Sequence, residues 1–403
     1  MISSLPAAAQ RLVIARIFSM FGAQVQGTAV AWHVYLMTGR KLDLGLVGLA
    51  QFVPMFLLAP IGGQLSDTRD RRSILVIGTA TFFVTSIGFV TLALQGTHDV
   101  RAVYLLLVAF ASIRSIVGPA QQALMPSLVG PDALPRALAL STLGAQLGML
   151  AGPALGGLLC ATTYGPLAAY AFSTVLFLIT TILLTGIPKQ PRASTVATRF
   201  VESALEGLRF LRTQPVLMGA IALDLAAVLL GGVVALLPIF AKDILHASGI
   251  GFGIMRASPA IGAAIVGVWL ARNPIRRKLG PTFFISVGVF GIATLGFALS
   301  SHLIVAIVCL AIAGGADMVS MVIRGVLVPA LTPPEMRGRV SAVNMVFIGA
   351  SNELGEFESG VTAEWLGTRP AAVLGACGTL LSAVVFAWLF PSLRKLDQAR
   401  GHE

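Results

Sequence analysis

Apolar residues along this chain come in long blocks, without the strict alternation of a half-buried strand or the narrow stripe of a soluble amphipathic helix. Twelve blocks can be drawn, at about 10–37, 43–65, 73–95, 102–127, 137–161, 165–187, 215–241, 249–271, 281–299, 302–330, 340–365 and 370–391. About twenty apolar residues in a helix are enough to cross the ~30 Å hydrocarbon core of a bilayer. The pattern therefore predicts twelve membrane-spanning helices. Glycine and proline recur inside the blocks, which membrane helices tolerate better than soluble ones. No run of ten-residue alternating strands is present, which argues against a β-barrel.

The pattern also repeats at half-length. Leu124-Met125-Pro126, Pro131-Asp132 and Arg136 recur as Leu327-Val328-Pro329, Pro334-Glu335 and Arg339, at an offset of 203 positions. The same offset pairs Gly152 with Gly355 and Gly157 with Gly360. The chain reads as two six-helix halves, 1–187 and 215–391, with a linker at 188–214 and a tail at 392–403. In the linker, Phe200, Leu205, Leu208 and Leu211 are interleaved with Arg199, Glu202, Glu206, Arg209 and Arg212, as in an amphipathic helix lying on a membrane surface.

Composition agrees with the pattern. Only 11% of the 403 residues are charged and 56% are apolar, whereas a soluble domain is about 25% charged. The net charge of +11 does not point to nucleic acid once the charges are placed. Assigning alternate loops to opposite sides gives one side 19 lysines and arginines and the other 5, with Arg16, Arg114, Arg256 and Arg324 inside blocks. The positive-inside rule then puts both termini in the cytoplasm, with the bilayer as the partner of the basic side. The first block is too long for a signal peptide and carries Arg16, so it reads as a membrane helix. Cys160, Cys309 and Cys377 lie inside blocks and make no disulfide framework.

Two motifs carry mechanical meaning. Gly63-Gln64-Leu65-Ser66-Asp67, followed by Arg71-Arg72, falls between the second and third blocks. Glycine there permits close helix approach, and Asp67 suits a helix N-terminus or an arginine. In the fifth block Gly148, Gly152 and Gly156 recur every four residues, with Pro153 and Gly157 beside them. Small residues at that spacing let two helix backbones meet, and the proline can kink the helix.

These motifs resemble those of the major facilitator superfamily. The first is similar to its cytoplasmic loop signature G-x-L-[AS]-D-x-x-x-R-R, and implies a conformational gate at Gly63, Asp67, Arg71 and Arg72. The second matches G-x-x-x-G-P-x-x-G-G, the helix-five pattern of proton-coupled exporters in that superfamily. Arg114 and Gly118 resemble the R-x-x-Q-G motif of the same exporters, with Val117 in place of glutamine. Ala31-Trp32-His33-Val34-Tyr35, Leu237-Pro238 and the run Ser351-Asn352-Glu353-Leu354-Gly355-Glu356 resemble the branch of enterobactin exporters and macrolide-efflux proteins. The resemblance implies an all-α fold of twelve transmembrane helices, monomeric by family default, with helices one, four, seven and ten lining a central cavity. The second-half counterpart of the gating loop, 271–277, lacks an acidic residue.

Ionisable groups at membrane depth are costly and mark ion or substrate paths. Here they are Arg114, Asp224, Arg256, Asp317, Arg324, Glu353, Glu356 and Glu358. Arg114 and Asp317 are repeat equivalents of opposite charge. Arg324 lies seven residues after Asp317, on the same helix face and about 10 Å along the axis. Asp317 thus has two candidate partners, Arg114 and Arg324. Glu356 stands about 60° from Glu353 and about 160° from Glu358, so the three glutamates cannot share a face. Arg16, and equally Arg256, can also be read as snorkelling to an interface.

The five histidines are scattered without metal-ligand spacing, and no Gly-Lys dipeptide offers a phosphate-binding loop. No metal, cofactor or ATP site is therefore expected, and no enzyme chemistry. The sequence reading is a proton-coupled exporter of amphiphilic molecules, siderophore-like or drug-like, in a bacterial inner membrane, with small-molecule substrate and protons as partners and no nucleic acid. Two alternatives stay open: an importer or lipid flippase on the same fold, and a non-transporting receptor or scaffold.

Overall fold

The computed structural model describes residues 5–96, 99–130, 132–189, 200–333 and 335–398. His98, Pro131, Pro191, Arg192, Arg199, Pro334, Arg400 and His402 lie outside the described residues, as do the side chains of Phe200 and Glu202.

Among the described residues every regular element is helical. The first half holds α1 (Ala7–Thr38), α2 (Lys41–Thr68), α3 (Arg71–Gln95), α4 (Val100–Leu128), α5 (Leu134–Cys160) and α6 (Pro166–Thr185). The linker helix α7 (Phe200–Thr213) follows. The second half holds α8 (Pro215–Gly231), a single turn α9 (Leu237–Ile239), α10 (Gly249–Arg272), α11 (Leu279–Leu299), α12 (Leu303–Ala330), α13 (Arg337–Leu366) and α14 (Thr368–Leu389), then a short α15 (Pro391–Arg394).

Helix ends follow local chemistry. Asp70 caps α3 by accepting from the amides of Arg72 and Ser73, and Asp99 caps α4 through Arg101 N–H. Gly39 ends α1 in the left-handed conformation, its N–H on the Tyr35 carbonyl. Pro166 and Pro215 open α6 and α8, where a missing N–H costs nothing.

Ten spans are long and apolar enough to cross a bilayer, counting α8 and its continuation as Pro215–Ile244. The other two blocks form α1 and α13, 32 and 30 residues long. They have the length, but charged residues such as Arg11, Arg16, Glu353, Glu356 and Glu358 hold down their hydropathy. The seventh block differs from expectation: it is not one helix over 215–241. Gly231-Gly232 breaks it, and a 3-10 turn (Val233–Leu236), α9 and a π-helical turn (Phe240–Ile244) complete the crossing. Paired glycines and Pro238 explain the break.

The chain divides into two compact units, Met1–Gly39 with Ala50–Phe200, and Arg40–Leu49 with Val201–Glu403. Each has its own core. The first centres on Phe82, Phe110 and Phe177, whose ring centroids lie 4.4–5.8 Å apart. The second centres on Leu223, Phe283, Val287, Ile323 and Leu327. Large apolar side chains also face outward in both, among them Leu105, Ile304 and Trp388, as a lipid solvent requires. The packing scheme repeats: α1 packs on α5 and α6 as α8 packs on α13 and α14, and α3 packs on α4 and α6 as α11 packs on α12 and α14.

Candidate functional site

On α12, Asp317, Ser320 and Arg324 are spaced by three and four residues and share one helix face. Opposite them stands α8, whose span is the most enclosed, 56% buried against 22% for that of α14. Asp224 on α8 receives the Arg324 guanidinium at 2.7 Å and the Ser320 hydroxyl at 3.4 Å. Both charged side chains are almost shut off from solvent, 9% and 8% exposed. Asp317 is partly buried and close enough for its charge to act on Arg324 and Asp224. Asp224, Asp317 and Ser320, with Ala227, Ser286 and Phe290, line one narrow crevice.

Arg324 therefore pairs with Asp224, not with Asp317 as the spacing suggested. The reason is axial distance: seven residues separate Asp317 from Arg324 by about 10 Å along one helix, while Asp224 faces the arginine from another. Ser320, midway between them and bonded to Asp224, was absent from the sequence reading. Its position on the Asp317–Arg324 face was the available signal.

The three glutamates of α13 separate as their angles require. Glu358 is held locally, accepting from Thr362 Oγ1 at 2.9 Å and Ser359 Oγ at 3.5 Å. Glu356 lies within electrostatic reach of Arg256. Glu353 is buried, 7% exposed. Arg256 does not snorkel: its guanidinium meets the Val234 carbonyl at 3.4 Å, in the broken stretch after α8. Gly355 packs beside that break, where an added Cβ would lie 3.0 Å from the Leu229 carbonyl oxygen.

In the first unit the glycines of α5 face α1. A Cβ on Gly148 would meet Met20 and Phe21, one on Gly152 would lie 2.6 Å from Gln24 Cβ, and one on Gly156 would lie 2.9 Å from the Val25 carbonyl oxygen. Pro153 is inside the helix and Gly157 is buried. Arg114 is exposed on α4. Val117, at the glutamine position of the family motif, is buried and packs into the space left by Gly78 on α3.

The motif between the second and third blocks is mostly helical. Gly63 and Asp67 belong to the last turns of α2, and the connection shrinks to Arg69-Asp70. The helix runs past its expected end, and the hydroxyls of Ser66 and Thr68 donate back to the carbonyls of Gly63 and Gln64. The Asp67 side chain lies outside the described residues. Arg71 donates to the carbonyls of Ser66 and Ala123 at 3.1 and 3.0 Å, and Arg72 donates to Thr185 at 2.6 Å. With Arg11 on the Gly186 carbonyl, three arginines meet backbone carbonyls at or near the C-terminal ends of α2, α4 and α6, where the helix dipole is negative.

Two repeated helical units with a charged crevice between membrane-spanning helices define a multi-pass transporter of the major facilitator fold. Solved structures agree on the fold. A D-xylose–proton symporter superposes with a TM-score of 0.75 at 16% identity, covering 98% of this chain and 99% of that one. A bacterial homologue of the iron transporter ferroportin, in an inward-facing state, gives 0.69 at 19% identity, over 94% and 98%. The chain belongs to the transmembrane secretion effector family, whose model matches residues 6–402, and within the superfamily it falls in the enterobactin-exporter branch. It is 29% identical over 381 residues to the enterobactin exporter EntS of Escherichia coli O1:K1 / APEC, covering 93% of this chain and 86% of the relative. It is 28% identical over 388 residues to that of Citrobacter koseri, with the same coverage.

Proposed function

We propose that this transporter is a proton-coupled exporter, moving an amphiphilic organic molecule out of a bacterial cytoplasm across the inner membrane by alternating access. The relatives' names support export of a siderophore-like cargo. The α5 seam supports the exporter over the importer, because its pattern is the export-associated one. The proposed orientation has both termini in the cytoplasm, with the Arg71–Arg72 end of the first unit facing inward.

One observation carries the coupling: Asp224, ion-paired with Arg324, and Asp317, close enough to feel the same guanidinium, line one narrow crevice. Arg324 and Asp224 neutralise each other. Asp317 is the surplus charge, so a proton on it leaves the crevice neutral, and loss of that proton leaves it at minus one. A neutral crevice is the cheaper one to enclose in a low-dielectric surround. Proton uptake from outside thus favours closure and the return inward; release inside frees the site for cargo. Glu353, Glu356 and Glu358 with Arg256, and Arg114 in the first unit, are the further charges in this scheme. Asp67 acts in it as a conformational gate rather than a cargo ligand.

Asp317→Asn fixes the neutral state. In proteoliposomes with an imposed pH gradient, gradient-driven movement of enterobactin should fall to background while gradient-independent exchange persists. Wild-type pumping by Asp317→Asn at equal protein levels rules out Asp317 as the carrier.

A further inference from the structure

The two units use the basic connection after their second helices differently. In the first, protein takes up the arginines: Arg71 donates to the carbonyls of Ser66 and Ala123, and Arg72 to that of Thr185. In the second, the counterpart connection between α10 and α11 carries Arg272, Arg276, Arg277 and Lys278, all exposed. Among the described residues none of these four side chains makes a hydrogen bond or an ion pair.

The tail brings more charge to the same place. Asp397 Oδ1 accepts from Lys278 N–H at 3.0 Å, and the carbonyls of Asp397 and Leu396 accept from Leu279 and Gly280. Lys278 is held at a φ of 56°, a region that residues with a side chain seldom enter. A Cβ on Gly280 would lie 3.1 Å from the Arg394 carbonyl oxygen, so tail and connection run side by side. Arg394 and Lys395 are thereby set next to the first four cations, and they too are exposed and unpaired among the described residues. Asp397 is the one acid in either segment, and its Oδ1 is on a main-chain N–H. Gathering six like charges opposes folding. Three hydrogen bonds hold them together all the same, and the neighbouring protein supplies no counter-charge.

Two exposed tryptophans set the level of this patch against the membrane. Trp269, 58% exposed, lies in the last turn of α10, and Trp388, 78% exposed, is next to last in α14. Tryptophan favours the boundary between acyl chains and head groups. Arg272 follows Trp269 by three residues, about 4.5 Å along a helix. The cations therefore stand at the depth of lipid phosphates.

We infer that the α10–α11 connection and the tail together form a docking surface for anionic phospholipid head groups, with phosphatidylglycerol as the chemical type, in the leaflet on the tail side of the membrane. The phosphates accept from Arg276, Arg277, Lys278, Arg394 and Lys395, while the acyl chains lie against Trp269 and Trp388. Attraction of this kind adds up over a basic cluster and fades with salt. It differs from the general pull of a basic side on the bilayer because it needs the tail bonded to the connection.

The test reads tryptophan quenching in the full chain, held in phosphatidylcholine nanodiscs doped with a minor fraction of brominated phosphatidylglycerol or brominated phosphatidylcholine. In the wild type the brominated anionic lipid should quench about threefold more strongly. The excess should shrink at high salt and vanish in Trp269→Phe with Trp388→Phe. Arg276→Gln with Arg277→Gln, and Arg394→Gln with Lys395→Gln, should each lose most of it. Truncation after Lys395 keeps all six cations but cuts the three hydrogen bonds, and should lose most of it as well. Arg209→Gln with Arg212→Gln, an equal charge change on α7, should keep it. The paired variants alter only exposed side chains, so they carry the test if the truncated chain does not fold. Equal quenching by both lipids in the wild type overturns the assignment, as does an excess that survives both site pairs. If the α7 pair costs as much as the site pairs, net charge alone explains the preference and the surface is not a site. Loss of the excess on adding micromolar glycerol 3-phosphate would give the cations to a soluble phosphate instead of a lipid.

Discussion

The two units share a packing scheme and differ in the charges they hold at membrane depth. The first carries Arg16 and Arg114 there and no acid. The second carries Asp224, Asp317, Glu353, Glu356 and Glu358 against Arg256 and Arg324. Yet α5 meets α1 as α13 meets α8, with Gly152 and its repeat partner Gly355 both at the contact. Beside them Pro153 has become Glu356, and Arg114 answers to Asp317. The helix seams demand small residues in both copies, so they persist. The charges are not needed at the seams, so the copies could diverge: one holds only cations at membrane depth, the other a surplus of acid.

The largest expected effect tests that division directly. Removing Arg324 strands a nearly buried carboxylate, and losing one member of a buried pair typically costs about 3–5 kcal/mol. Arg324→Gln should therefore lower thermal stability sharply, and the double variant Arg324→Gln with Asp224→Asn should regain most of it. Arg16→Gln strands no carboxylate and should leave stability nearly unchanged. The comparison breaks if melting curves in one detergent show Arg16→Gln as damaging as Arg324→Gln.

The seams give a middle-sized effect. Gly152→Leu forces a side chain against Gln24, and overpacking of this kind costs about 1–3 kcal/mol. Gly355→Leu meets backbone carbonyls, which yield less than a side chain, so it should cost at least as much. Ala161→Leu, just past the end of α5, should be mild. Active efflux should fail in both glycine variants while the folded protein is still recovered. Normal pumping by Gly152→Leu beside failure of Ala161→Leu would remove the seam's support for export.

The fold was legible because its signal is long and repeated: each apolar block is about as long as a bilayer crossing needs or longer, and the offset of 203 ties the halves together. Where local backbone chemistry overrides hydropathy, it was not. Gly231-Gly232 and Pro238 break the seventh span although its residues, Asp224 apart, form one apolar run. The candidate site was legible as a set of residues and not as pairs. Spacing along one helix nominated Asp317 for Arg324, whereas the partner came from α8, and nothing in one-dimensional spacing measures the gap between helices. Arg16 shows the same limit: its hydrogen-bond partner, the buried Ser141, sits on another helix.

The smallest effect concerns how each unit starts its third helix. In the first, Asp70 caps α3 from the residue just before it. The second-half counterpart loop has no acid, and the structure shows where one comes from. The chain folds back so that Asp397 Oδ1 accepts from Lys278 N–H at 3.0 Å, 119 residues away, while the carbonyls of Asp397 and Leu396 accept from Leu279 and Gly280 at 3.3 and 2.9 Å. Gly280 is needed there, because a Cβ would collide with the Leu393 carbonyl. Two of the helix donors thus end on tail backbone, and the carboxylate meets only the residue before the helix. Asp70→Ala should cost about 1 kcal/mol, the usual worth of a capping carboxylate. Asp397→Ala should cost less, since the main-chain bonds remain. Truncation after Lys395 removes all three bonds and should exceed either. Melting temperatures of the three variants in one detergent check the order; an Asp397→Ala loss equal to the truncation would mean that the side chain, not the tail backbone, holds α11.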